Sequence, residues 1–158
     1  MIDDLAAIFW RKIDERITEQ ANQMLQVALS NLRPGGAHPL VVEVASPSAS
    51  TSQPVAKINV LYPAWIDSVD LYANPTDTGS ATVDLHVVRP GNALTAGASI
   101  CGGSLPRLIS ATSTHFVPTT GWTRFLERNA EGYSVLMPYI TSAANITSLT
   151  ISVNVRAL

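Results

Sequence analysis

Along residues 149–155 every second side chain is aliphatic: Leu149, Ile151, Val153 and Val155 alternate with Thr150, Ser152 and Asn154. Successive side chains of a strand point to opposite faces. A run with this period is therefore a strand with one dry and one wet side, and it has no helical reading. Residues 82–88 repeat the pattern, with Val83, Leu85 and Val87 set against Asp84 and His86. Residues 66–73 set Val69 and Leu71 against Ser68 and Asp70, and residues 133–140 form a fourth strong run. Shorter β-like runs fall at 40–44, 57–61, 99–100, 105–109, 115–117 and 123–126. Turn formers punctuate them: Asn74-Pro75, Thr78-Gly79, Pro90-Gly91-Asn92, Gly102-Gly103, Gly121 and Glu131-Gly132. Roughly seven to nine short strands with such punctuation predict an antiparallel β-sandwich, jelly-roll-like, each sheet having one wet face.

The first part of the chain has another period. Trp10, Ile13, Ile17, Ala21, Met24, Ala28 and Leu32 are spaced by three or four residues, which is a helical stripe. Asp3 and Asp4 suit the positive end of a helix dipole. Arg33 suits the other end, and Pro34-Gly35-Gly36 stops the helix. Such a helix is roughly 45 Å long. A small β domain rarely offers a groove of that length, so the helix is expected to bundle with its own copies or to dock into a host structure. Leu5, Ile8, Phe9 and Trp10 surround its first turns on nearly every side, which suits a plug better than a single stripe. The anchor set is thus Leu5, Ile8, Phe9, Trp10, Ile13, Ile17, Met24, Ala28 and Leu32. The predicted organisation is a helix over 1–33, a Pro/Gly/Ser-rich linker with a short strand over 34–54, and the sandwich over 55–158.

Charge separates the same two parts. Residues 1–33 hold nine of the 22 charged side chains, and charged residues make up only 14% of the 158-residue chain, against about 25% in average domains. With 46% apolar residues the composition excludes disorder. A net charge of −2 offers no bulk attraction to nucleic acid or to an anionic membrane. Cys101 is the single cysteine, so no internal disulfide is available. Asp3 and Asp4 stand where a secretory leader carries basic residues. No apolar run reaches the roughly 18 residues of a membrane span. A chain made and folded in the cytoplasm is expected.

Catalytic chemistry finds little support. His38, His86 and His115 have no metal-ligand spacing, and ICGGSLP (residues 100–106) lacks the GxSxG elbow. Asp67, Asp70 and Asp84 fall on two strands expected to be neighbours; paired carboxylates there would serve glycoside hydrolysis or calcium binding. Asp67 and Asp70 differ by an odd number, which places them on opposite faces. Neither catalytic, metal nor cofactor residues are assigned. Trp65, Tyr62, Tyr72, Trp122, Tyr133 and Tyr139 are aromatics able to stack on sugar rings. Trp65, Tyr72 and Trp122 are the ligand-facing candidates, while a core-anchor role for Trp65 and Trp122 is the simpler alternative.

The order of segments WIDSVDLYANPTDTGSATVDLHVVRPG, SICGGSLPRLISATS, GWTRFLERNAEGYSVLMPYI and ITSLTISVNV resembles that of the small β-sandwich virion proteins of tailed bacteriophages. These are head-fibre, capsid-decoration and tail-appendage proteins. The resemblance spans Lys57 to Val155 and is one of layout. It implies a non-enzymatic structural protein of the virion, made in the host cytoplasm and homotrimeric, with the N-terminal helix as a coiled-coil or anchor to capsid or tail proteins. It supplies no ligand-binding residue. The competing reading is a carbohydrate-binding adhesin gripping a cell-surface glycan. A third, a small hydrolase, requires a Ser with a His, or two carboxylates, in one pocket.

Overall fold

The computed structural model describes residues 37–94 and 97–158. The predicted helix, its anchor residues and the boundary at 33/34 lie outside them. Eleven strands are described: β1 (Ala37–Ala45), β2 (Ile58–Val60), β3 (Ala64–Ala73), β4 (Ser80–Val88), β5 (Ala98–Ser99), β6 (Arg107–Ile109), β7 (Ser113–Phe116), β8 (Phe125–Leu126), β9 (Arg128–Asn129), β10 (Gly132–Ala144) and β11 (Ser148–Ala157). All pairings are antiparallel. The first sheet runs β1-β11-β3-β7, with β8 also on β3. The second runs β2-β10-β4-β5, with β6 on β4 and β9 on β10.

The alternating runs close the sandwich as their period requires. Val69 and Leu71 of β3 and Leu149, Ile151, Val153 and Val155 of β11 meet Val83, Leu85, Leu136 and Ile140 of the second sheet in one buried cluster. The segment around residues 40–44, expected as a short strand within a linker, is a nine-residue edge strand paired along its whole length with β11. Its Leu40, Val42 and Val44 pack against the core while remaining half-buried.

Two departures from the pattern bear on the candidate carboxylates. Strands β3 and β4 are consecutive but belong to different sheets, because residues 74–79 cross from one to the other. The turn is shaped by Asn74, whose carbonyl accepts from Asp77 N–H (2.8 Å) and whose side chain accepts from Thr76. The second departure is a one-residue irregularity in the β3–β11 ladder, where Asn154 pairs with Ser68 but Val155 pairs with Ile66. Asp67 is the extra residue of a β-bulge, which reverses the inside-outside parity beyond it.

The expectation of one wet face per sheet holds for the first sheet and fails for the second. From Ser134 to Ile140 strand β10 is buried on both sides. Leu136 and Ile140 face the core, whereas Val135, Met137 and Tyr139 join Val88 in a separate apolar cluster on the other side. The physical cause is in the run itself: between Val135 and Ile140 the outward positions are as apolar as the inward ones.

Candidate functional site

Each ionisable cluster can be built from its strands. On β4, Asp84 and His86 are two apart and so share the outer face of the second sheet. His86 Nε2 lies 3.0 Å from Asp84 Oδ2, and its Nδ1 lies 2.8 Å from the Gly97 carbonyl. The hydroxyl of Ser99, on neighbouring β5, donates to the second Asp84 oxygen at 2.7 Å. A Ser, a His and an Asp therefore meet, but in an order that does not activate a nucleophile. The serine gives its proton to the carboxylate and the imidazole is engaged at both nitrogens, so no base faces the hydroxyl. The imidazole also packs on the Tyr139 ring, centroids 4.4 Å apart. What the cluster does is fasten β5 and the segment before it to β4.

The first sheet carries a second network. Asp70 of β3 meets His115 Nδ1 of β7 on one side and accepts from Asn154 Nδ2 of β11 at 2.7 Å on the other. The same amide donates to Ser68 Oγ at 2.9 Å. Three adjacent strands are thus laced across their outer face. Asp67 stands on that outer side as well, 3.3 Å from Arg156 and 3.9 Å from Arg124. The bulge is the reason: with an extra residue between them, an odd separation no longer means opposite faces. Arg124 lies over the Trp65 ring at 5.0 Å and donates to the Ile66 carbonyl at 2.9 Å. Asp70 and Asp84 lie on the outer faces of different sheets with the core between them, so the carboxylate pairing considered from the sequence does not form. Among the described residues no three His, Cys, Asp or Glu side chains gather in a way that would hold a metal ion.

Asp77 has a structural role. Its carboxylate is buried and accepts from Thr147 N–H and Thr147 Oγ1, both at 2.8 Å, with Ser148 N–H at 3.5 Å. Desolvation raises its pKa, but the donors from Thr147 and Ser148 outweigh this and hold the carboxyl below its ordinary value. Asp77 lies on the β3–β4 crossover and Thr147 on the β10–β11 crossover, so one side chain ties together two passages between the sheets. The signal available in the sequence was the Asn-Pro-Thr-Asp turn.

The aromatic candidates separate. Trp122 is only 8% exposed; its indole N–H donates to the Ser104 carbonyl at 2.9 Å, and its ring packs on Phe116. It is a core anchor, the alternative weighed for it. Trp65 is half-buried on the outer face of the first sheet near the start of β3, beneath Arg124. Tyr72 is 47% exposed near the end of the same strand, roughly 20 Å away at the rise of a strand. Trp65 and Tyr72 stand at opposite ends of one outer face and Trp122 lies in the core, so the three do not converge on one ligand. Cys101 is buried, and the Leu85 N–H points at its sulfur at 3.4 Å. Burial pushes the thiol up to about 12, which makes it inert rather than nucleophilic. Gly102 beside it serves packing: a Cβ there would lie 2.4 Å from the Gly121 carbonyl oxygen, and Gly102 has φ +54°.

Among the described residues, two hollows lie on the outer side of the second sheet. One of about 450 Å³ is bounded by residues 52–54 and 56–57, Leu94, Met137 and Tyr139. The other, of about 380 Å³, lies between the β4–β5 connection and the β9–β10 hairpin.

No family model matches the chain, and no curated protein matches it in sequence. Among solved structures the chain is similar to a chain of Sacbrood virus of honeybee, at 9% identity and TM-score 0.46, over 78% of this chain and 70% of that one. It is similar to a chain of the same virus in expansion state I at 11% identity and TM-score 0.42, over 79% and 87%. A chain of Israeli acute paralysis virus, from a full particle heated to 63 degrees, matches at 11% identity and TM-score 0.36, over 76% and 71%. These are virus chains, and none of the three is a tailed-phage protein.

Proposed function

We propose that the chain is a non-enzymatic structural protein of a virus particle, whose β-sandwich is displayed and whose N-terminal segment holds it in place. The observation that supports this reading most is where the apolar surface lies. Leu61, Phe125 and Leu158 are exposed, and all three lie toward the end of the sandwich where β2 finishes, β3 starts and β8 pairs with β3, while Val41, Tyr72, Ile109 and Val117 are exposed elsewhere. Apolar side chains gathered at one end mark a surface that a neighbour covers. The spending of Asp70, Asp77, Asp84, His86 and His115 on ties between strands fits the same reading, as does a charged fraction of 14%.

In its finer form the proposal is a homotrimeric capsid-decoration, head-fibre or tail-adaptor component of a bacteriophage, with residues Ile13, Ile17, Met24, Ala28 and Leu32 joining the copies. Light scattering on the full chain tests it. The expected mass is three times the 16.8 kDa of one copy. Ile17→Glu combined with Met24→Glu should bring it to the mass of a single copy while the β-sheet signal in circular dichroism persists. A single-copy mass for the unmodified chain would overturn the trimer.

A further inference from the structure

The hollow between the β4–β5 connection and the β9–β10 hairpin has a composition its neighbour lacks. Its apolar base is Val88 and Val135, paired across β4 and β10. Tyr133 stands at its wall with 40% of its surface exposed. Around these are hydrogen-bonding groups of both kinds: the amides of Asn59 and Asn92, the guanidinium of Arg89 and the carboxylate of Glu131. At about 380 Å³ it is within the size range of small-molecule sites, about 300–1,000 Å³.

The walls are held in place by specific contacts. Arg89 pairs with Glu127 at 3.3 Å, and its carbonyl accepts from Asn92 N–H at 3.1 Å, which closes the 89–92 turn. The Glu131 N–H donates to Asn129 Oδ1 at 2.9 Å, which shapes the hairpin. The two walls approach each other at Gly91. A Cβ there would lie 2.3 Å from Glu131 Oε2, and Gly91 has φ +82°. The bare Cα is what allows the carboxylate to stand against the opposite turn.

We propose that this hollow is a subsite for one neutral sugar residue. A pyranose has an apolar C–H face and a rim of hydroxyls that both donate and accept. Tyr133 and the valine base match the face. The Asn amides match hydroxyls in either sense, Arg89 donates to them and Glu131 accepts from them. Arg89 is already paired with Glu127, so the carboxylate of Glu131 opposes a phosphate or a carboxylate ligand and leaves a neutral one favoured. This site does not depend on the virion reading: it stands for a displayed structural protein and for an adhesin alike.

Saturation-transfer NMR on the full chain tests the site, with the methyl glycosides of glucose, galactose, mannose and N-acetylglucosamine as probes at millimolar concentration. Transfer to the ring C–H protons of at least one probe is expected, weakened at least tenfold by Tyr133→Ala and by Glu131→Gln. Gly91→Ala should weaken it as well by displacing Glu131, and Tyr72→Ala, on the other sheet, should leave it unchanged. Absence of transfer from all four probes overturns the proposal. So does transfer that survives Tyr133→Ala in full. The light-scattering mass of Tyr133→Ala reads the assembly separately, so failure of the sugar site and failure of the trimer are distinguishable.

Discussion

On the outer face of the first sheet, Ser68, Asp70, His115 and Asn154 hold one another by hydrogen bonds, with Asp67, Arg124 and Arg156 beside them. The same side of the second sheet carries Val88, Val135, Met137 and Tyr139 packed as an apolar layer, with Asp84, His86 and Ser99 at its margin. Both sheets share one core, so the difference is not needed to fold the sandwich. A laced polar face is finished: its groups satisfy each other and water. An apolar outer layer owes its burial to segments laid across it, and the described residues over it include Pro54, Ala56 and Leu94 around an open hollow. The two outer faces are therefore held differently, one by polar ties between its own strands and one by burial beneath the segments that cross it.

Substitutions sharpen this contrast. Leu136→Ala, between the sheets and fully buried, should cost most, about 3–5 kcal/mol in urea unfolding. Met137→Ala, its neighbour on the outer layer at 1% exposure, should cost about 2 kcal/mol or more if that layer is a second core. A loss below about 0.5 kcal/mol, the level of ordinary surface changes, would erase the distinction between the two outer faces. Asn154→Ala on the polar face should cost about 1 kcal/mol, the net worth of its hydrogen bonds.

Asp77→Asn should show its effect as a slope with pH. The folded-state pKa of Asp77 lies below the unfolded one, so its carboxylate stabilises the fold above the unfolded value, about 3.9. That contribution fades as pH falls through the folded value. The stability gap between wild type and Asp77→Asn should be level near neutral pH and shrink progressively below about pH 4. A gap that is unchanged down to pH 2 would show that the carboxylate is not what ties the crossovers. The smallest effect is at Cys101. With its thiol pushed up to about 12, a disulfide reagent at pH 8 should leave the native chain unmodified and label the urea-unfolded chain fully.

The strands with clean alternation were legible because their period records burial directly: residues 82–88 and 146–155 match β4 and most of β11. What the period does not record is which sheet a strand joins. Consecutive strands such as β3 and β4 are expected to be neighbours, which would bring Asp70 and Asp84 together, yet the Asn74–Asp77 turn sends the chain across the sandwich. A parity argument fails wherever a bulge adds a residue, as at Asp67. The apolar outer layer was readable in the unbroken run from Val135 to Ile140, but single positions there do not say what lies over them. For the candidate site, Tyr133 was among the aromatics noted, while Glu131 and Gly91 appeared as turn residues. Their meeting depends on two hairpins from different parts of the chain, which no local pattern encodes.

Both sheets are completed by the two strands made last among those described. β1 and β3 pair with β11, and β2 and β4 pair with β10. On a ribosome adding about 5–20 residues per second, β1 precedes its partner by roughly 5–20 s. During that interval Leu40, Val42 and Val44 have no ladder to join, although β3 can already pair with β7 and β4 with β5 and β6. Pairings this distant place the chain among slow folders, in the range of about milliseconds to seconds once released. The long edge that β1 lends to the finished sheet is thus also the part of the molecule most exposed to capture by another chain before synthesis is done.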